Sequence, residues 1–379
     1  MPSPFVFITS QVGAEPIIKA EVARQYPESK PAFSRPGLLT FKFPEMDAES
    51  LEKIRIRSVF ARSWGFSLGT ITQGTEEERV AQVWKLAGDR RFDRIHVWGR
   101  DLHKIGDYKF EPRRTQQADA LCWKLCQEYP GDTLWRYGQE IPAHYGDLVL
   151  DCVLIDPIPP EDSARFLAKR EENAALLSPE RQGNWLIGYH RVHSFSSALP
   201  GGMLNLDVPP EVVSRAWLKM EEALRWSRLP MGAGSRVCEI GSAPGGATQA
   251  LLSRGCEVLG IDPAEMDPVV MEHPNFRHIR TRIARVRRKE FRKIRWLTCD
   301  INVPPNYTLD VIESVVMHPE VNVRGMILTL KFPDWNMGFE VQDYLDRIRG
   351  WGFNKIKARQ LHYSHQEICV ACLKKPFHR

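Results

Sequence analysis

The string Val237-Cys238-Glu239-Ile240-Gly241-Ser242-Ala243-Pro244-Gly245-Gly246 reads as a strand running through a glycine-rich turn into a helix. Small residues at such a turn let backbone approach a ligand, and a helix start presents N–H groups without intrahelical partners. Asp262 closes the next strand, 21 residues after Gly241, where a carboxylate can hold a ribose diol. The combination suits an adenosine-bearing cofactor. It departs from the dinucleotide fingerprint, because Ala243 takes the second glycine position and Pro244 follows it. A purely structural turn accounts for the glycines as well. Two further residues favour chemistry: Asp300 closes Trp296-Leu297-Thr298-Cys299, and Lys331 closes Ile327-Leu328-Thr329-Leu330. The carboxyl ends of parallel strands line the crevice of an open α/β sheet, so both are expected to face the cleft of the glycine turn. Opposite charges at one such edge are a pattern of functional sites.

The segments that must position these residues alternate. Glu211 to Trp226 reads as helix, Arg236 to Gly241 as strand, Gly246 to Arg254 as helix and Glu257 to Asp262 as strand. Ile283, Val286, Phe291 and Ile294 share one helical face, which turns many arginines outward. Trp296 to Asp300, Met326 to Lys331, Lys355 to Leu361 and Ile368 to Leu373 are further strands. The pattern predicts an α/β fold, a mostly parallel Rossmann-like sheet covered on both faces. The Ser-, Gly- and Pro-rich stretch Ser194 to Pro210 marks a boundary before it. Upstream lie strands at 5–9 and Leu38 to Phe43, with helical spacing of Ile17, Ile18, Val22 and Tyr26 between them. After a break at Gln73-Gly74-Thr75 come helices over Glu76 to Ala87 and Thr115 to Tyr129, the latter with Leu121, Trp123 and Leu125 as its core side. Arg94 to Gly99, Leu148 to Ile155 and Asn184 to Val192 read as strands, and Asp156 to Glu161 as an acidic, Pro-rich loop. Three regions are expected: 1–72, 73–195 and 196–379.

Gly241-Ser242-Ala243-Pro244-Gly245-Gly246 resembles the cofactor motif of the FtsJ-type ribose 2′-O-methyltransferases, which use S-adenosylmethionine and a Lys-Asp-Lys-Glu tetrad. Ser214-Arg215-Ala216-Trp217-Leu218-Lys219-Met220-Glu221-Glu222-Ala223 is similar to the helix carrying the first lysine and places it at Lys219. Asp300 and Lys331 match the second and third members. The segment Arg359-Gln360-Leu361-His362-Tyr363-Ser364-His365-Gln366-Glu367 resembles the one carrying the last acid, at Glu367. These strings look closest to the RlmM branch, which methylates a cytidine ribose in bacterial large-subunit ribosomal RNA. The likeness runs from about Asn184 to the C-terminus. Upstream it rests on domain order, which implies a ferredoxin-like region at 1–72 and a THUMP-like RNA-binding domain at 73–195. The resemblance implies S-adenosylmethionine held by Gly241 to Gly246, Asp262 and Asp300, an RNA partner and a cytoplasmic location. Three departures stand out. Ala247 replaces a tryptophan after the double glycine, Ala216 replaces a serine, and Ile279 to Ala284 lacks the third-motif carboxylate that contacts the cofactor adenine.

The chemistry explains such a tetrad. The sulfonium of S-adenosylmethionine needs no metal to activate its methyl group, whereas a ribose hydroxyl is a very weak acid. A base must take its proton while the oxygen is held in line. Lys331 does this when neutral. A neighbouring ammonium at Lys219 and burial both favour the neutral form, with Asp300 and Glu367 orienting the lysines.

Composition agrees with a globular protein: of 379 residues, 43% are hydrophobic and 26% charged, which excludes general disorder. No apolar run is long enough to span a bilayer, the first residues lack the pattern of a secretory signal, and eight scattered cysteines suit a reduced compartment. Residues 201–379 carry a net +6 and the first 200 carry −1. Ten basic residues against one acid, Glu290, lie between Arg277 and Arg295. That run is either a solvated face or a site for a polyanion. Cys369-Val370-Ala371-Cys372 has no second pair for a tetrahedral zinc site, so no metal is expected. The other cysteines read as core, as do most of the eleven tryptophans, whose alternative is stacking on bases, and His362 and His365, which flank Glu367, read as surface residues or as substrate contacts. Two rival classes remain: a non-catalytic RNA-binding protein on a decayed methyltransferase fold, and a nicotinamide-dependent oxidoreductase.

Overall fold

A computed structural model describes residues 3–107, 112–130, 142–156 and 183–374. The chain divides into two units, Met1–Asn205 and Leu206–Arg379, each built on one seven-stranded sheet.

The first unit contains β1 (Phe5–Ser10), β2 (Lys30–Arg35), β3 (Leu38–Lys42), β4 (Ala61–Ile71), β5 (Arg94–Gly99), β6 (Leu148–Leu154) and β7 (Trp185–Arg191). Their order is β2-β3-β1-β4-β7-β6-β5, antiparallel except for the β5–β6 pair. The expected regions 1–72 and 73–195 thus share one sheet, joined where β4 pairs with β7. Its helices among the described residues are α1 (Glu15–Gln25), α2 (Ala48–Lys53), α3 (Glu76–Ala87) and α4 (Gln116–Gln127). Helix α3 starts with a capping box, Thr75 with Glu78, which satisfies two orphan N–H groups. In α4, Leu121 and Leu125 are buried but Trp123 is 64% exposed. A spacing of two residues belongs to a strand face; on a helix it turns Trp123 away from the side shared by i and i+4. Most of the Asp156 to Glu161 loop lies outside the described residues.

The second unit contains β8 (Arg236–Ile240), β9 (Glu257–Ile261), β10 (Phe276–Ile279), β11 (Trp296–Cys299), β12 (Gly325–Lys331), β13 (Lys355–Arg359) and β14 (Glu367–Leu373). Their order is β10-β9-β8-β11-β12-β14-β13. The first five run parallel, and β14 runs against β12 and β13. Side chains such as Cys238, Leu297, Leu328 and Val370 are fully buried, as strands covered on both faces require. The covering helices are α5 (Ala216–Ser227), α6 (Gly246–Leu252), α7 (Pro268–Met271), α8 (Pro305–Val316) and α9 (Val341–Gly350). Helix α5 begins five residues later than Glu211, and in the segment before it the Val213 N–H donates to Gln249 Oε1 at 2.9 Å. The helix expected across Ile283 to Ile294 is absent. Two 3-10 turns, Ile283–Arg285 and Arg288–Phe291, occupy that stretch. Arg282, Arg285, Lys289 and Arg292 would stand three or four residues apart on a helix, and like charges so placed repel. Among the described residues no helix is long and apolar enough to cross a membrane.

Candidate functional site

Four ionisable side chains meet at the carboxyl edge of the second sheet. Lys219 stands in the first turn of α5, Asp300 directly after β11, Lys331 at the end of β12 and Glu367 at the start of β14. The reversed strand matters, because its antiparallel register sets Glu367 directly opposite Lys331. Lys219 Nζ lies 2.6 Å from Asp300 Oδ2 and 2.9 Å from Glu367 Oε1. Lys331 Nζ lies 3.1 Å from the other oxygen, Asp300 Oδ1, which no donor meets in hydrogen-bond alignment among the described residues. The contact of Lys331 is therefore ionic and loosely directed, whereas Lys219 is clamped between two carboxylates. Burial alone disfavours the Lys219 ammonium, but Glu367 and Asp300 prevail and hold its pKa above the usual lysine range. Burial likewise disfavours the Asp300 carboxylate, yet Lys219 and Lys331 keep its pKa below the ordinary value.

The glycine turn abuts this group. Gly241 has φ +81°, and a Cβ there would meet the Asp300 carbonyl oxygen at 2.8 Å. Gly245 has φ +125°, and its Cβ would meet Val270 Cγ2 at 2.6 Å. The missing side chains thus make room for the protein's own chain. The expectation that small residues here open the backbone to a ligand is corrected to that extent. Asp262 follows β9, where its Oδ2 accepts from the Ala243 N–H at 3.2 Å and its Oδ1 from the Ala264 N–H at 2.8 Å. Those bonds fix the carboxylate, and each oxygen keeps a second lone pair for a ligand hydroxyl. Ser242 is buried with its hydroxyl against Met266 Sδ.

Two buried carboxylates that sequence reasoning missed support the site. Glu222, one turn beyond Lys219 on α5, accepts the N–H groups of His362 (2.9 Å) and Tyr363 (2.8 Å) and so fixes the loop leading to Glu367. His362, expected at the surface, is buried there. Glu239 lies in β8 beneath the glycine turn and accepts from Thr248 Oγ1 at 2.5 Å. Burial pushes its carboxyl up to about 8, against the Thr248 hydrogen bond. Their signal in the sequence is faint: acids at positions where the helical or strand pattern faces inward.

A second group of polar side chains lies in the first unit. His96 (β5), Asp151 (β6) and His190 (β7) are all buried and close enough to hold a metal ion, which weakens the expectation of a metal-free protein. His190 Nδ1 meets Asp151 Oδ2 at 2.7 Å and its Nε2 meets the Ser197 carbonyl at 2.7 Å. A carbonyl only accepts, so Nε2 carries a proton, and Asp151 outweighs burial to raise the His190 pKa. Ninety-four residues separate His96 from His190, and only strand pairing unites them. The described cysteines are free, and Cys369 and Cys372 are buried in β14 with thiol pKa values raised by burial.

Residues 212–343 match the model of the family described as FtsJ-like methyltransferase. The ribosomal RNA large subunit methyltransferase M of Azotobacter vinelandii is 29% identical over 236 residues, covering 58% of this chain and 61% of that protein. The protein of the same name from Halorhodospira halophila is 31% identical over 175 residues, covering 45% and 50%. That from Idiomarina loihiensis is 29% identical over 198 residues, covering 49% and 52%. The chain thus spans between half and about three-fifths of the length of these curated relatives. The matched segment holds the glycine turn, Lys219, Asp300 and Lys331, and Glu367 lies beyond it. Residues 212–343 are accordingly an FtsJ-like methyltransferase domain, of the S-adenosylmethionine-dependent class.

Proposed function

We propose that this chain is a ribose 2′-O-methyltransferase acting on RNA, and that large-subunit ribosomal RNA, for which its relatives are named, is the substrate. The observation that carries the reading is the ion-pair chain Lys331–Asp300–Lys219–Glu367 set beside the glycine turn. Gly241, Ser242, Ala243, Pro244, Gly245, Gly246 and Asp262 would hold S-adenosylmethionine. The Asp262 carboxylate, pinned by two backbone N–H groups, suits its ribose diol. When bound, the cofactor supplies a methyl group already activated by its sulfonium. The chain's own task is the weakly acidic hydroxyl. Lys219, between two carboxylates, stays an ammonium. Among the described residues Lys331 meets a single carboxylate oxygen, out of line, and is the more exposed of the two, at 25% against 15%. Lys331 is thus the base that takes the 2′-hydroxyl proton. Asp300 fixes its position, and Glu367 holds Lys219 against Asp300. The first unit, with ferredoxin-like and THUMP-like regions, would present structured RNA.

Mapping ribose methylation in ribosomal RNA from cells with and without the protein tests the substrate. One 2′-O-methyl group should vanish without it, and an identical map would overturn the assignment. Calorimetric titration with S-adenosylmethionine and with NAD tests the cofactor. Heat is expected for the first only, and binding of NAD alone would favour the oxidoreductase.

A further inference from the structure

Strand β10 ends at the carboxyl edge of the second sheet and β11 starts at the amino edge, so residues 280–295 must cross the sheet's full height. A helix commonly makes that crossing. Here the segment is two 3-10 turns anchored by the buried side chains of Val286, Phe291 and Ile294. Nine of its sixteen residues are basic and one is acidic. Arg280 pairs with Glu265 (2.9 Å) and Arg292 with Glu320 (2.5 Å), while the lone acid, Glu290, pairs with Arg277 of β10 (2.6 Å). Arg282, Arg285, Arg287, Lys289 and Lys293 are exposed and make no ion pair among the described residues. The charge therefore forms a line along the crossing, not a scatter of neutralised pairs.

Both ends of this line are informative. At the carboxyl edge, Arg280 Nε donates to the carbonyl of Pro263, the residue after Asp262, so the line starts beside the cofactor turn. At the amino edge it runs into a concavity of about 620 Å³ where β8, β9 and β10 begin. Arg236, Arg277, Lys289, Arg292 and Lys293 line it, against the carboxylates of Glu257 and Glu290.

We propose that the 280–295 crossover and the amino-edge concavity form a binding track for the sugar–phosphate backbone of RNA, leading away from the methylation cleft. The inference rests on the RNA reading above and adds where the methyltransferase unit grips its substrate. A linear polyanion matches an extended line of uncompensated cations that begins where a ribose hydroxyl must be presented, and each phosphate neutralised releases condensed counterions.

The test uses the full chain, deproteinised large-subunit ribosomal RNA as the probe, and filter binding across a potassium chloride series. The variant is Arg285→Glu/Lys289→Glu/Lys293→Glu. A control, Arg349→Glu/Lys355→Glu/Lys357→Glu, makes the same charge change on α9 and β13. The track variant should lose at least about tenfold in affinity at moderate salt, and its log–log salt slope should shrink by about 2–3 for three lost phosphate contacts. Its calorimetric affinity for S-adenosylmethionine should equal wild type, which shows the unit folded. A wild-type salt slope in the track variant, or an equal loss in the control, overturns the track and leaves the RNA reading standing. Wild-type protein that binds S-adenosylmethionine but no RNA overturns both.

Discussion

Replacing Asp300 with asparagine removes the one charge that both lysines share. At an effective dielectric of about 20, unit charges 2.6 Å and 3.1 Å apart attract by about 6 and about 5 kcal/mol before desolvation is counted. Most of that gross energy is spent in burying the three groups. Removing only one partner of such a cluster typically costs about 3–5 kcal/mol. Glu367 still compensates Lys219 and the amide still accepts a hydrogen bond, so the lower figure, about 3 kcal/mol, is the expectation. For a unit of this size that corresponds to a melting point lower by roughly 6–12 °C. Methyl transfer should fall by about 10²-fold or more, because Lys331 loses the carboxylate with which it pairs among the described residues. Acid sensitivity should change as well. A carboxyl whose pKa drops on folding adds stability that is present above its unfolded value, near 3.8, and lost as pH falls through the lower folded value. Wild-type protein should show that loss in strong acid and the Asp300→Asn variant should not. Scanning calorimetry over a pH series and single-turnover transfer of labelled methyl groups provide the readouts. A variant that melts and methylates within about threefold of wild type would refute the reasoning.

Gly245→Val forces a side chain onto Val270 at φ +125°, so it should lower the melting point and abolish calorimetric binding of S-adenosylmethionine; unchanged affinity would remove the turn from the cofactor site. Glu239, with its carboxyl raised to about 8, binds a proton in the folded state between pH 4.5 and 8 that the unfolded chain releases. Wild-type stability should therefore fall by a few kcal/mol over that window, and Glu239→Gln should flatten the fall in urea titrations at pH 5 and pH 8. A parallel decline in both proteins would show that Glu239 is ionised in the fold. Glu222→Ala frees the His362 and Tyr363 N–H groups and should slow methyl transfer at unchanged S-adenosylmethionine affinity, whereas an equal loss of both would mark general unfolding.

Much of the second unit was legible because its signals are local. Six of the strands from Arg236 to Leu373 are readable in the sequence, with Asp300 and Lys331 at the ends of two of them, whereas β10 (Phe276–Ile279) carries two basic side chains in four residues and gives no such signal. What was not legible depends on long-range pairing. Nothing near Glu367 says that β14 runs against β12, yet that reversal sets it opposite Lys331. The same holds for His96, Asp151 and His190, which three strands bring together. Periodicity misled where charge opposed it: the apolar spacing through Ile283 and Ile294 suits a helix, but arginines every three or four residues do not. Helical spacing without opposing charge is present in α8 and α9, where Leu309, Ile312 and Val316, and Val341, Tyr344 and Ile348, form plain buried stripes. In the first unit, the sheet that β4 and β7 join spans a boundary that the Gln73-Gly74-Thr75 break suggested.

The most direct measurement is single-turnover methylation of ribosomal RNA by Lys331→Ala and Lys331→Arg, with melting points and S-adenosylmethionine affinities measured in parallel. Arginine keeps the cation beside Asp300 but does not release a proton near neutral pH. If Lys331 is the base, both variants should fall by about 10²–10⁴-fold while still binding the cofactor. An arginine variant that retains most of the wild-type rate would show that the charge alone suffices, and would contradict the mechanism.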